Sequence, residues 1–252
     1  MGAKAEMAVR FSSVVAVFEL DPDLLEHLDR DQRAAARSRA VAPVALLRPG
    51  ERDPWRLIDD RNTHLGLLIL EGLLTRNVTL IGRMTMELVG AGDIIRPWDE
   101  ATAETSVPQT VTWTVHLPTR VALLDQRFAE GIAPWPGITR ALLSRSARRA
   151  QWLERQLAIL ENPRVDARLL MLFWQLADRW GRVGPDGVTV PLQLTHKVLG
   201  RLVRAQRPSV TASLHHLSER GLLTRRQPDG AWMLHGEPVV QLRLLQEDAA
   251  RS

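Results

Sequence analysis

Cysteine is missing from all 252 residues. With it go disulfides, thiolate zinc sites, cysteine-ligated iron–sulfur clusters and any cysteine nucleophile, and the absence fits a reducing compartment such as the cytoplasm. Long apolar runs are missing as well. The stretch LGLLIL at residues 65–70 is far shorter than the roughly 18 residues a membrane helix needs, so no membrane partner is expected. A signal peptide is not expected either: the VVAVF patch at residues 14–18 is too short for an apolar signal core and is followed by Asp21, Pro22 and Asp23 rather than a small-residue cleavage site. Tyrosine is absent while tryptophan occurs eight times. Trp98, Trp113 and Trp135 could stack on a planar ligand, but indoles in that number serve first as packing material in a core.

What is present is length, charge and pattern. The chain exceeds the single-domain mode of about 100 to 150 residues, so two domains are expected. Its net charge of +4 is unevenly spread: residues 1–136 carry −4, residues 137–160 carry +4 and residues 164–235 carry +6. A basic C-terminal half is the expected footprint of a polyanion partner, although an ordinary solvated basic face has the same composition.

Residues 1–40 have little periodicity and read as an N-terminal arm or short helices. From 41 to 136, short Val-, Ile-, Leu- and Thr-rich runs alternate with turn residues, as in an antiparallel roll or barrel. The runs HLGLLILEGLL and NVTLIGRMTMELV read as separate strands, the second closing a hairpin at Gly82, and SVPQTVTWTVHLP and TRVALLD as two more. Residues 137–161 read as one long amphipathic helix, stopped by Pro163. Its apolar positions include Ile138, Leu142, Trp152, Leu153 and Leu157, a candidate dimer interface interrupted around Arg145, Arg148 and Arg149. The same stripe could equally pack on its own β-domain. Residues 163–240 read as a further domain and 241–252 as a tail.

Within that further domain, Leu169, Leu170, Leu172, Phe173 and Leu176 share one face of a helix that ends near Gly181. A short strand follows, and then Thr195 as N-cap to a helix bearing Val198, Leu199, Leu202 and Val203. After a turn at Ala205 and Gln206 comes RPSVTASLHHLSERG, opened by Pro208, whose missing N–H is harmless in a first helical turn. Val210, Leu214 and Leu217 form its inner stripe, while Arg207, Ser209, Thr211, Ala212, Ser213 and His216 form the other face. Small polar groups with one cation at the N-terminal end suit a major groove about 12 Å wide. The LLTRRQPDGAWMLHG stretch then reads as a hairpin wing that presents Arg225 and Arg226 to phosphates. Helix, turn, helix and basic wing make a winged helix-turn-helix, and the partner expected is double-stranded DNA.

Residues 169–236 resemble the C-terminal domain of Crp/Fnr-family transcription regulators. The upstream runs LGLLILEGLLTRNV and ELVGAGDIIRPW are similar to that family's cyclic-nucleotide-binding-like β-roll, and residues 137–161 to its dimerisation helix. The resemblance implies an α+β fold with an N-terminal antiparallel β-roll, a long dimerisation helix and a C-terminal winged helix-turn-helix. It implies a homodimer on a roughly palindromic operator, with RNA polymerase as a further partner. The family's base-reading positions fall on Arg207, Pro208, Ser209 and Ala212, of which only Arg207 keeps the usual residue type. The DNA-facing set is expected to comprise Thr195, His196, Gln206, Arg207, Pro208, Ser209, Thr211, Ala212, Ser213, Arg225 and Arg226.

The sensor departs from the family. A buried cyclic phosphate needs a guanidinium, yet no Arg lies between Pro97 and Arg120. Cyclic AMP is not expected, no cofactor is expected, and Arg96 is the weak substitute candidate for an effector site. Catalytic patterns are thin: GAGDIIRPW lacks the Gly-Lys-Ser/Thr end of a phosphate loop, and GRMTMEL has no nucleophile elbow. His215 and His216 are adjacent and point about 100° apart on a helix, so they do not share a metal. His64 and His116 could meet in space only through the fold. An enzyme is not expected; the competing reading is a ligand-binding or interaction module whose winged helix contacts protein.

Overall fold

The computed structural model describes residues 13–50, 53, 65–98 and 106–251. The chain forms two compact units, residues 1–150 and 151–252, and the division falls inside one long helix.

In the first unit, β1 (Ser13–Ala16), β2 (Val41–Leu47), β3 (Gly66–Leu80), β4 (Arg83–Gly90), β5 (Ile94–Ile95) and β6 (Gln109–Leu124) make one antiparallel sheet in the order β1-β2-β6-β3-β4, with β5 beside β3. Alternation along β3 serves both faces. Leu67 and Ile69 join one buried cluster with Leu47, Val89, Trp98, Trp113 and Val121. Leu68 and Leu70 join the other, which is closed by α1 (Val17–Leu20), a 3-10 turn, α2 (Arg30–Arg39) and α3 (Gln126–Ile132) through Phe18, Leu24, Leu25, Ala36 and Phe128. The described part of residues 1–40 is therefore a strand and short helices built into the core.

Two expected pairs of strands are in fact two long ones. β3 runs on past Glu71 because Gly72, at φ +103°, lets the chain bulge without breaking its pairing to β6. A Cβ there would meet Thr119 Cα at 2.5 Å and the Pro118 carbonyl at 2.6 Å. The facing Pro118, which donates no ladder hydrogen bond, is tolerated at that same irregularity. The hairpin at Gly82 forms as expected, with Ile81 and Gly82 both at positive φ.

Helix α4 (Pro136–Leu160) carries two stripes where the sequence reads as one. The inner stripe is Ile138, Leu142, Arg145, Trp152, Gln156 and Ile159, all buried and spaced at helical intervals. The arginines do not interrupt it. Arg145 bonds Asp21 and the Gly92 carbonyl, and Arg149 holds Glu87 with bonds of 2.6 and 2.9 Å. Arg76 reaches the same Glu87 at 3.6 Å. Of the expected dimer residues, Ile138 and Leu142 are 0% and 6% exposed in the core of their own unit, and Trp152 is buried against Trp180 and Arg179. Leu153 and Leu157 are exposed, as is Leu143, a residue the expected set omits.

The second unit contains α5 (Val165–Trp180), α6 (His196–Leu202), α7 (Arg207–Glu219) and α8 (Pro238–Arg251). Its sheet has the order β7-β8-β10-β9, from β7 (Arg182–Gly184), β8 (Gly187–Val190), β9 (Leu223–Arg225) and β10 (Trp232–Leu234). The stretch after Gly181 thus makes a hairpin rather than one strand. The expected tail is a helix that docks: Gln241 accepts from Trp174 Nε1 at 2.7 Å and donates to the Leu222 carbonyl at 2.9 Å, and Leu245 is buried. A domain boundary at 240 would cut this helix. Gly181 ends α5 with an extended backbone, not a left-handed cap, and its missing Cβ avoids the Ala177 carbonyl, which would lie at 2.4 Å.

Candidate nucleic-acid interface

Thr195 caps α6, its hydroxyl accepting from the Val198 N–H at 3.3 Å. The chain then turns through Arg204, at φ +49°, and the Ala205 N–H donates to the Gly200 carbonyl at 2.8 Å. Gly200 is required here because a Cβ would lie 2.7 Å from the Ala205 carbonyl oxygen, so only glycine lets the two helices approach. Val210, Leu214 and Leu217 anchor α7 to the core. The outward face is Gln206, Arg207, Pro208, Ser209, Thr211 and Ala212, all exposed, with nothing larger than threonine after the first turn until His215.

Three placements differ from expectation. Ser213 is half-buried at the edge of that face. His216 turns inward, its Nδ1 at 3.2 Å from Asp166, because the acidic start of α5 lies beneath it. His215 is missed by the expected set although its spacing from Thr211 places it on the same exposed face. Burial alone would raise the Asp166 carboxyl, but the Arg164 bonds of 2.6 and 3.1 Å, the Ala167 N–H and the Arg164 and His216 charges hold it below its usual value.

Tertiary contact brings His196 to the recognition face, with Nδ1 at 2.9 Å from Thr211 Oγ1. The wing adds Arg225, exposed at its rim with the guanidinium 5.6 Å from the Trp232 ring centre. Arg226 is exposed too but is paired with Asp229 in the turn, so part of its charge is already answered. Arg207, His196 and Arg225 therefore border one surface of small side chains. Such a surface can approach a groove and meet phosphates at its edges.

The effector expectations lie in the first unit. Arg96 is exposed, donates to the Leu65 carbonyl at 3.3 Å and lies 5.9 Å from the Trp98 ring centre. Asp93, after the Gly92 turn, is buried and accepts from the Gly90 N–H at 2.9 Å. Trp98 and Trp113 are core residues, while Trp135 is partly buried and borders a surface cleft with His27, Gln32 and Arg140. His116 pairs with Thr75 at 2.9 Å, and His64 lies outside the described residues. Among the described residues no group of three His, Cys, Asp or Glu could hold a metal ion. None of their helices is long and apolar enough to cross a membrane.

A profile of Crp-like helix-turn-helix domains matches residues 164–250, which includes α8. No curated protein matches the chain in sequence. Among solved structures, a cyclic nucleotide-binding domain containing protein of Listeria monocytogenes is similar at 18% identity and a TM-score of 0.61, over 85% of this chain and 97% of that one. FixK2 from Bradyrhizobium japonicum is similar at 16% identity and a TM-score of 0.57, over 81% and 96%. A CRP/FNR-family transcriptional regulator from Thermus thermophilus is similar at 18% identity and a TM-score of 0.52, over 81% and 98%. Residues 164–250, which hold the exposed, arginine-bordered recognition helix, are therefore a Crp-like helix-turn-helix domain, and most of the chain shares the fold of these solved structures.

Proposed function

We propose that the chain acts as a cytoplasmic, non-catalytic homodimer on a roughly palindromic operator, in concert with RNA polymerase. The observation that carries the reading is the exposed first half of α7, where Arg207 stands alone among small side chains. Arg207 reads a base edge, and Arg225, with Arg226 in second place, contacts phosphate. A small, smooth face needs few base contacts to dock closely, so the operator is expected to differ from that of regulators with an acidic or a second basic reading residue.

Two-fold pairing is supported by the outer stripe of α4. Leu143 and Leu157 are 67% and 60% exposed, and with Ala150 and Leu153 they recur at the intervals of a coiled-coil seam. Leu157→Glu is expected to convert the dimer to monomer in sedimentation velocity and to weaken binding to a two-fold site far more than to a half-site. An unchanged sedimentation coefficient would place the interface elsewhere.

No cyclic nucleotide is part of the proposal. Asp93 is engaged by the backbone, Arg96 is exposed, and the polar groups that hold α4 to the sheet are supplied by the chain itself through Arg145 and Arg149. The direct test is selection of bound sequences from a random duplex pool without added ligand. An enriched motif with half-sites about one helical turn apart is the expected result. In Arg207→Ala, one symmetric base position should lose its preference and affinity should fall by about 1–3 kcal/mol. A pool that shows no enrichment with the wild-type protein would count against an effector-independent regulator.

A further inference from the structure

His196 opens α6, the first helix of the helix-turn-helix pair, and is half-buried beside α7. Its Nδ1 lies 2.9 Å from Thr211 Oγ1, and the Thr211 hydroxyl donates to the Arg207 carbonyl at 3.0 Å. A hydroxyl has one hydrogen to give and two lone pairs with which to accept. Thr211 has given its hydrogen to Arg207, so it accepts from Nδ1–H of His196. The neutral ring then carries a bare lone pair on Nε2. Protonating Nε2 disturbs neither bond, because Nδ1–H is present in both states and the ring keeps its orientation.

The charged groups facing this ring are Arg207 from the recognition helix and Arg225 from the wing, and Lys197 follows it on its own helix. Burial first, then the Arg225 charge, then the Arg207 charge hold the imidazole below its ordinary value. A ring so placed is neutral near pH 7 in the free protein. Two fixed cations around a group that can become a third describe a site for an anion. The first helix of such a pair crosses the nucleic-acid backbone.

We propose that His196 is a phosphate-binding residue of the DNA interface and takes up a proton when DNA binds. The proposal rests on the DNA-binding reading above. A phosphate between Arg207 and Arg225 reverses the local field. A proton from solvent then adds to Nε2, and the new N–H donates to a phosphate oxygen. The complex holds one more proton per protomer than the free protein, so affinity rises as pH falls through the bound-state value. It levels off below the free-state value, which lies beneath the ordinary one.

The experiment is binding of the full chain to a fluorescein-labelled mixed-sequence duplex, followed by anisotropy between about pH 8.5 and 5.5 at constant ionic strength, with Kd expected to fall by up to about tenfold for each unit the pH is lowered, for each protomer. The slope should disappear in His196→Gln and persist in His215→Gln, His216→Gln and His235→Gln, which removes the other three imidazoles of the second unit as its source. Nitrogen NMR shifts of the His196 ring should report Nδ1–H in the free protein and a doubly protonated ring in the complex. An unchanged slope in His196→Gln, or a ring that stays neutral on DNA, overturns the proposal. A pH effect confined to duplexes of one base composition also overturns it, because the contact would then be to a base edge. No duplex binding at any pH would instead sink the DNA-binding reading itself.

Discussion

Phe173→Ala should cost the C-terminal unit about 3–5 kcal/mol, the usual toll for emptying an aromatic site in a core. Phe173 is 0% exposed in α5, and its ring centre lies 4.8 Å from that of Trp232 on β10. That loss is a large fraction of the roughly 5–15 kcal/mol that holds an ordinary domain together. The effect should reach the DNA surface as well, because Trp232 supports Arg225 at the wing and pairs with it across the ladder. Chemical denaturation of the full chain should show the C-terminal unit unfolding at lower denaturant, and duplex binding should fail at physiological temperature while surviving in the cold. Phe173→Leu, which keeps most of the volume, should retain binding at both temperatures. An unchanged unfolding midpoint in the alanine variant would mean that the α5–β10 packing is not as described.

Asp21→Ala should destabilise the N-terminal unit by a similar amount, about 3–5 kcal/mol, since it strands a buried guanidinium without its counter-charge. Asp21 and Arg145 have side-chain exposures of 9% and 8%. Burial raises the Asp21 carboxyl above its ordinary value, and Arg145 pulls it back only in part. The pair therefore contributes little net stability while intact, yet breaking it leaves a buried charge with no counter-charge and only the Gly92 carbonyl to accept from it. The double variant Asp21→Leu with Arg145→Met should accordingly recover most of the loss. Thermal melts of the wild type, Asp21→Ala and the double variant decide the matter: if the double variant is no better than Asp21→Ala, the cost lies in packing around residue 21 and not in the stranded charge.

The helix-turn-helix was legible because its determinants are local. The Thr195 cap, the short turn, Pro208 in a first turn and the Val210, Leu214, Leu217 stripe all act within a few residues. The hairpin at Gly82 and the wing turn were legible for the same reason. The pairing of particular histidines was not. His215 and His216 are neighbours of one residue type, and only the position of Asp166 under α7 decides that His216 turns in and His215 stays out. The terminal helix was missed because its anchor is Gln241, a polar residue that becomes a core group only where Trp174 and the Leu222 carbonyl wait for it.

Composition, periodicity and turn chemistry in the sequence were enough to determine an α+β chain with an antiparallel roll or barrel, a long helix and a basic winged helix-turn-helix. These depend on side-chain type and spacing, which a helix or strand converts directly into a face. Only the tertiary structure decided which face of α4 is spent on its own core. Arg145 and Arg149 break an apolar stripe in one dimension and complete a buried one in three, because Asp21 and Glu87 arrive from 124 and 62 residues away to neutralise them. It decided likewise that His196 stands between Arg207 and Arg225 with its Nδ1 held by Thr211. The charge state of a group is set by what surrounds it, and those surroundings are assembled by long-range contacts that local sequence does not encode.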